Sequence, residues 1–241
     1  MTWSILAHDT ASGAFACAVA TCNFAVGASV PHIRAGVGAV ASQSFSNRYL
    51  GPAILDAMAR GLSPDQAIRA AVAGDDGRGL RQVHAIDRHG RSAAWTGENC
   101  VMWCGHEAGP RVSVAGNMLS GPAVVADTLS HFLSGGDTAL PERLLTAMQA
   151  GQRAGGDARG QQSAALRLYT TEDFPDICIR ADDHARPLDE LERLLKVWRR
   201  DREPGLSSQP RKADPVGLAD LDAIDARFVS AGSPLRVRRR D

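Results

Sequence analysis

The second residue of the chain, Thr2, has more chemistry open to it than any other. Methionine is commonly trimmed before a residue as small as threonine, and loss of Met1 would leave the Thr2 hydroxyl beside its own α-amine. That pair supplies nucleophile and base from one residue, and an α-amine with an ordinary pKa of about 7.7–8.0 is partly neutral near neutrality. The plainer reading makes Thr2 only the second residue of a buried edge strand. Ser4 and Ser163 are alternative nucleophiles without an evident base nearby in sequence. Asn117, in Gly116-Asn117-Met118-Leu119 between a strand and a helix start, can donate its amide to a developing oxyanion or satisfy a local turn. The loop Gly155-Gly156-Asp157-Ala158-Arg159-Gly160-Gln161-Gln162-Ser163 holds a carboxylate, a guanidinium, two amides and a hydroxyl. Asp157 and Ser163 can orient an amine there, while Arg159 and Gln162 can meet a substrate, Arg159 through a bidentate grip on a carboxylate. The bland reading of that loop is an Asp157–Arg159 pair that stiffens it. Gln43, ending a small-residue strand, and Arg81, opening another, complete the candidate substrate contacts.

Other chemistries are poorly supported. The Gly-rich loop lacks the Gly-Lys-Ser/Thr ending of a phosphate-binding loop, and Gly-x-Ser-x-Gly does not occur. Cys100, Cys104 and His106 have no second pair at metal-binding spacing, so no metal or other cofactor is expected. His8 and His84 fall on expected strands and read as core histidines. Lys+Arg 27 balances Asp+Glu 27, which removes a whole-chain electrostatic case for nucleic acid or an anionic membrane. The five cysteines lack a disulfide-framework spacing and no signal peptide is apparent, so a reducing, cytoplasmic setting is expected. Residues 10–31 carry no charge, but Ser, Gly, Thr and Asn interrupt them too often for a membrane helix.

The elements that must position these residues follow from pattern. Thr2-Trp3-Ser4-Ile5-Leu6-Ala7-His8 alternates, with Trp3, Ile5 and Ala7 on one face. A turn at 9–13 and a strand at 14–21 make a hairpin with it. Strands are expected at 36–43, 80–87, around 94–95, at 101–104, 111–115, 163–169 and 177–180. Helices are expected at 50–60, from a Ser63-Pro64 cap, at 121–132, 141–151 and 187–200. Residues 201–215 read as a polar linker, 216–229 as a weak helix, and 236–241 as a basic, mobile end. Alternating blocks of strands and helices indicate an α+β protein with antiparallel sheets covered by helix pairs.

Several motifs carry a family resemblance. They are Thr2-Trp3-Ser4-Ile5-Leu6-Ala7-x-Asp9, Ala35-Gly36-Val37-Gly38-Ala39-Val40-Ala41-x-Gln43, Arg81-Gln82-Val83, Ala94-Trp95-Thr96-Gly97, Gly116-Asn117-Met118-Leu119 and Ala154-Gly155-Gly156-Asp157-x-Arg159-Gly160-x-Gln162-Ser163-Ala164-Ala165-Leu166. In this order they resemble the DUF1028 family, which looks like the N-terminal nucleophile hydrolases. Trp3 stands where phenylalanine or tyrosine is usual. The resemblance implies a four-layer αββα sandwich over residues 1–200, with 201–241 outside it. It also implies hydrolysis of a small amide, one bearing a carboxylate in the reading of Arg159, by Thr2 after Met1 removal. The alternative is a non-catalytic small-molecule binding protein on the same fold. A homo-oligomer is left open.

Overall fold

The computed structural model describes residues 2–236. Removal of Met1 and the basic end beyond Arg236 lie outside them. The chain divides into two compact units, Met1–Leu191 and Glu192–Asp241.

The first unit is built from β1 (Thr2–Asp9), β2 (Ala14–Thr21), β3 (Pro31–Arg34), β4 (Gly38–Ser44), α1 (Leu50–Ala59), α2 (Pro64–Ala73), β5 (Arg81–Asp87), β6 (Ser92–Thr96), β7 (Trp103–Gly109), β8 (Val112–Leu119), α3 (Ala123–Ser134), α4 (Leu140–Arg153), β9 (Ser163–Tyr169) and β10 (Ile177–Ala181). The chain continues into α5 (Pro187–Val197). The strands form a six-stranded sheet, β10-β9-β2-β1-β8-β7, and a four-stranded sheet, β3-β4-β5-β6. Every paired strand is antiparallel to its neighbour. The protein is therefore α+β with two antiparallel sheets.

Asp9 starts the turn that sets the first register: its carboxylate accepts from Ala11 N at 3.1 Å and Ser12 Oγ at 2.5 Å. With Asp9 opposite Ala14, Trp3 falls opposite Ala20. Alternation along β1 then decides what each face meets. Leu6 joins Phe15, Cys17 and Val19 against Ala39, Ala41 and Ile86 of the other sheet. Trp3, on the opposite face, lies close to Gly151 of α4, and α3 and α4 pack on that side of the six-stranded sheet. Leu50, Ile54, Leu55 and Met58 of α1, with Ala67, Ile68 and Val72 of α2, cover Val40, Val83 and Ala85 of the four-stranded sheet. Ser63 caps α2 through a capping box with Gln66, and Pro64 fills the first turn.

Two differences from the sequence pattern bear on the site. The second strand of the 103–119 hairpin runs to Leu119, so Asn117 sits inside a strand and not in the turn before a helix. Residues 31–34 form an additional edge strand. In the second unit, α6 (Glu203–Leu206) and α7 (Leu221–Ser230) pack together, with Phe228 over Gly205 and Arg227 Nη1 donating to Ser207 O at 2.9 Å. No helix of the described residues is long and apolar enough to cross a membrane.

Candidate active site at the start of the central strand

β1 lies between β2 and β8, and its first residue is the hub of the candidate site. Register sets Thr2 opposite Asn117 of β8. On the other side its hydroxyl donates to Thr21 Oγ1, the last residue of β2, at 3.4 Å. Thr2 is 6% exposed and Asn117 fully buried.

The Gly-rich loop reaches the same place. Asp157 forms a bridge with Leu119 at the end of β8, and Ser120 N donates to Gly156 O at 3.1 Å. The Asp157 carboxylate accepts from Cys22 N, one residue past Thr21, at 2.7 Å and from Arg159 N at 2.9 Å. Asp157 thus ties the ends of β2 and β8 together beside the residue with which β1 begins. Its side chain is inaccessible, whereas that of Arg159, 3.3 Å away, is 44% exposed. Gly155 and Gly156, with φ of 118° and 57°, allow the tight path.

A polar layer supports the site from between the sheets. Ser4 Oγ donates to Gln43 Oε1 at 2.7 Å and lies 2.8 Å from His84 Nε2. His84 Nδ1 lies 2.9 Å from Ser113 Oγ. Gln43 Nε2 donates to Gln82 Oε1 at 2.9 Å and to Ala115 O at 3.1 Å. Gln82 Nε2 donates to Gly116 O at 2.8 Å, and Asn117 Nδ2 donates to Gln82 Oε1 at 2.9 Å.

Backbone carbonyls fix the polarity of this chain, because they only accept. Ala115 O holds the Gln43 amide nitrogen on its side, so Gln43 Oε1 must face Ser4, and Ser4 must donate to it. Ser4 then accepts from His84 Nε2–H, and Ser113 donates to His84 Nδ1. Gly116 O likewise turns Gln82 Oε1 toward Asn117, whose Nδ2 must donate. Asn117 Oδ1 is left buried without a partner. The second Nδ2 hydrogen also has no acceptor among the described residues.

The same polarity disposes of Ser4 as a nucleophile. His84 donates to Ser4 and so cannot take its proton, and both side chains are fully buried. Burial, with the nearby His106 adding to it, pushes the His84 pKa down to about 3.

The remaining candidates are placed as follows. Gln43 has its nitrogen and oxygen engaged inside the polar layer. Arg81 pairs with Asp75 at 2.9 Å and donates to Phe45 O at 2.5 Å. Ser163 Oγ donates to Asn23 O at 2.5 Å and accepts from Val26 N at 3.0 Å, holding the segment after β2. Gln162 N donates to Thr21 O at 2.9 Å, and its side-chain amide to Asp183 Oδ1 at 3.2 Å. The structure thus brings Thr2, Asn117, Asp157 and Arg159 to one place and gives Gln43, Arg81, Ser163 and Gln162 partners of their own around it. Thr21 went unnoticed in the sequence, although carrying the hairpin register back from Asp9 sets it against Thr2.

Backbone strain concentrates at the same end. Ala25, Ser44, Met102, Met118 and Arg111 are the non-glycine residues with positive φ among the described residues. The first four follow β2, end β4, precede β7 and fall near the end of β8, all at the end where β1 starts. Such clustering accompanies functional sites more often than inert surfaces.

A family model matches residues 2–191. The chain belongs to the DUF1028 family. That family is described as one of unknown function. The crystal structure of a DUF1028 protein from Silicibacter pomeroyi is 30% identical, with a TM-score of 0.85, over 91% of this DUF1028 chain and 96% of its own. The ancestral beta-subunit Anbu from Yersinia bercovieri, 11% identical, aligns over 82% of this chain and 96% of its own at a TM-score of only 0.37. A search of curated proteins gives no match.

Proposed function

We propose that this chain is an N-terminal nucleophile hydrolase of small amides, working on a four-layer αββα sandwich. The order of packing, α1 and α2, the four-stranded sheet, the six-stranded sheet, then α3 and α4, supports that reading of the fold. One observation carries the reading of function. The first residue of the central strand is a threonine beside a buried amide with an unused acceptor and an unused donor hydrogen, and beside a buried carboxylate that joins the flanking strands.

Once the chain is processed to expose the Thr2 α-amine, the amine takes the hydroxyl proton as Oγ1 attacks the substrate carbonyl carbon. The second Asn117 Nδ2 hydrogen donates to the oxyanion, and Asn117 Oδ1 accepts from the amine. Collapse passes the proton to the departing amine and leaves an acyl ester on Thr2. Water, deprotonated by the same α-amine, releases the acid. Asp157 keeps negative charge near the amine. Arg159, half-open to solvent, leaves its long contact with Asp157 to bind a substrate carboxylate.

The test combines intact mass, which reports whether the chain starts at Thr2, with labelling by a β-lactone that acylates N-terminal hydroxyl nucleophiles. The expected result is a single adduct on Thr2, absent in Thr2→Ala and retained in Thr2→Ser. A chain that starts at Thr2 and takes no adduct would overturn the mechanism. Saturable binding of small amides to that unreactive chain would favour the non-catalytic binding protein.

A further inference from the structure

At the opposite end of β1, roughly 20 Å from Thr2 by strand rise, lies a cavity of about 410 Å³. The end of β1 contributes His8 and Asp9, the β7–β8 turn contributes Arg111, and the start of α4 with its preceding loop contributes Asp137 and Arg143. Nothing in the proposed reaction uses these residues.

Three observations mark the cavity as a binding site. First, buried polar atoms of two residues that line it go unused: His8 Nδ1 and Arg143 Nε have no hydrogen-bond partner. Orphans of this kind call for a ligand or water. His8 is 7% exposed and stacked on Phe15 at 4.2 Å, so its ring is held in place. Arg143 is held by a bond from Nη1 to Gly136 O at 3.1 Å and lies 3.9 Å over the Phe132 ring. Second, Arg111 has a φ of 60° in the two-residue turn after Gly109, at a position that favours glycine. His8 N donates to Arg111 O at 3.0 Å and fixes that turn. The strained backbone presents a guanidinium that a glycine there would lack. Third, charges of both signs line the cavity without neutralising one another. Among the described residues Arg111, Arg143, Asp9 and Asp137 form no ion pair with each other or with any other residue. Asp9 instead holds its own turn.

We infer that this cavity binds a small zwitterion of the amino-acid class, its carboxylate between Arg111 and Arg143 and its ammonium on Asp137 and Asp9. An anion alone would face two carboxylates, and a cation alone two guanidinium groups. A molecule carrying both charges satisfies all four, and the volume fits a ligand at the small end of the usual pocket range of about 300–1,000 Å³. The inference is independent of Thr2 chemistry.

The full chain is screened by thermal shift with the twenty common amino acids, and the best is compared by calorimetry with its deamino and decarboxylated analogues. The expected result is one or more amino acids that bind, with either analogue weaker by at least roughly tenfold, the loss of one charged hydrogen bond. Arg111→Ala and Asp137→Ala, at exposed positions, should each weaken binding by roughly tenfold or more with an unchanged ligand-free Tm. Saturation should shift the Arg143 Nε–H signal in nitrogen-labelled protein. No binding below about 10 mM, analogues that bind as well as the zwitterion, or unaffected variants would each overturn the proposal.

Discussion

Acid should weaken this fold through His84 well before its carboxylates are protonated. In the native state burial holds the His84 pKa at about 3, and an unfolded histidine titrates near about 6.5. Below pH 6.5 the unfolded chain binds the proton and the native chain does not, so stability rises with pH across this window. The neutral-histidine contribution is complete above about pH 6.5 and is lost as pH falls toward 3. At about 1.4 kcal/mol per unit, the loss is about 2 kcal/mol at pH 5 and on the order of 5 kcal/mol at pH 3. His8 and His32, also lowered chiefly by burial, act with the same sign. A control must therefore remove His84 alone. His84→Gln keeps a donor for Ser4 and an acceptor for Ser113 but cannot titrate. Asp75, held at about 2 mainly by its hydrogen bond from Arg81, stays ionised in both states above pH 5.

The assay is urea unfolding of parent and His84→Gln at pH 7, 6 and 5 at constant ionic strength. The parent should lose about 2 kcal/mol more than the variant between pH 7 and 5. Parallel losses, or a native His84 ring that titrates near 6.5 by NMR, would refute the argument that this imidazole is locked neutral between the sheets.

Other expectations follow from single positions. Gly151→Ala places a Cβ 2.1 Å from Thr128 Oγ1 and 3.0 Å from Val124 O, so α4 must move off α3; thermal unfolding should show a loss of about 1–3 kcal/mol, and an unchanged Tm would mean that the helix pair yields freely. Once a substrate is known, Arg159→Lys should raise its Kd by an amount equivalent to about 1.5–3 kcal/mol through loss of the planar fork; equal affinities would leave Arg159 a structural role beside Asp157. A chain ended after Trp198 should retain cooperative unfolding, since the unit that ends at Leu191 holds both sheets; a broad, non-cooperative transition would show that the second unit is needed.

What the sequence made legible was periodic and local. Alternation over 2–8, turn chemistry at 9–13 and the Ser63-Pro64 cap each act within a few residues, and the elements they specify appear as β1, its turn and α2. Where local rules misled, a pairing between distant segments had taken over. The Gly116-Asn117 pair has turn chemistry in isolation, but pairing with β1 extends β8 through Asn117. That change converts a turn asparagine into a buried amide. The polar layer was hidden for a related reason: Ser4, Gln43, Gln82, His84 and Ser113 lie on four strands, and nothing local in the sequence joins them, so Ser4 reads as an alternative nucleophile, Gln43 as a substrate contact and His84 as a core histidine. Their meaning comes from the facing sheets, because each buried polar group must find a partner and three of these contacts join residues 39 to 80 positions apart. Carbonyl groups that can only accept then orient the whole chain, and its direction leaves an acceptor open at Asn117, opposite Thr2. The candidate site is thus specified as much by the hydrogen-bond bookkeeping of the sheet interface as by the residue types at its centre.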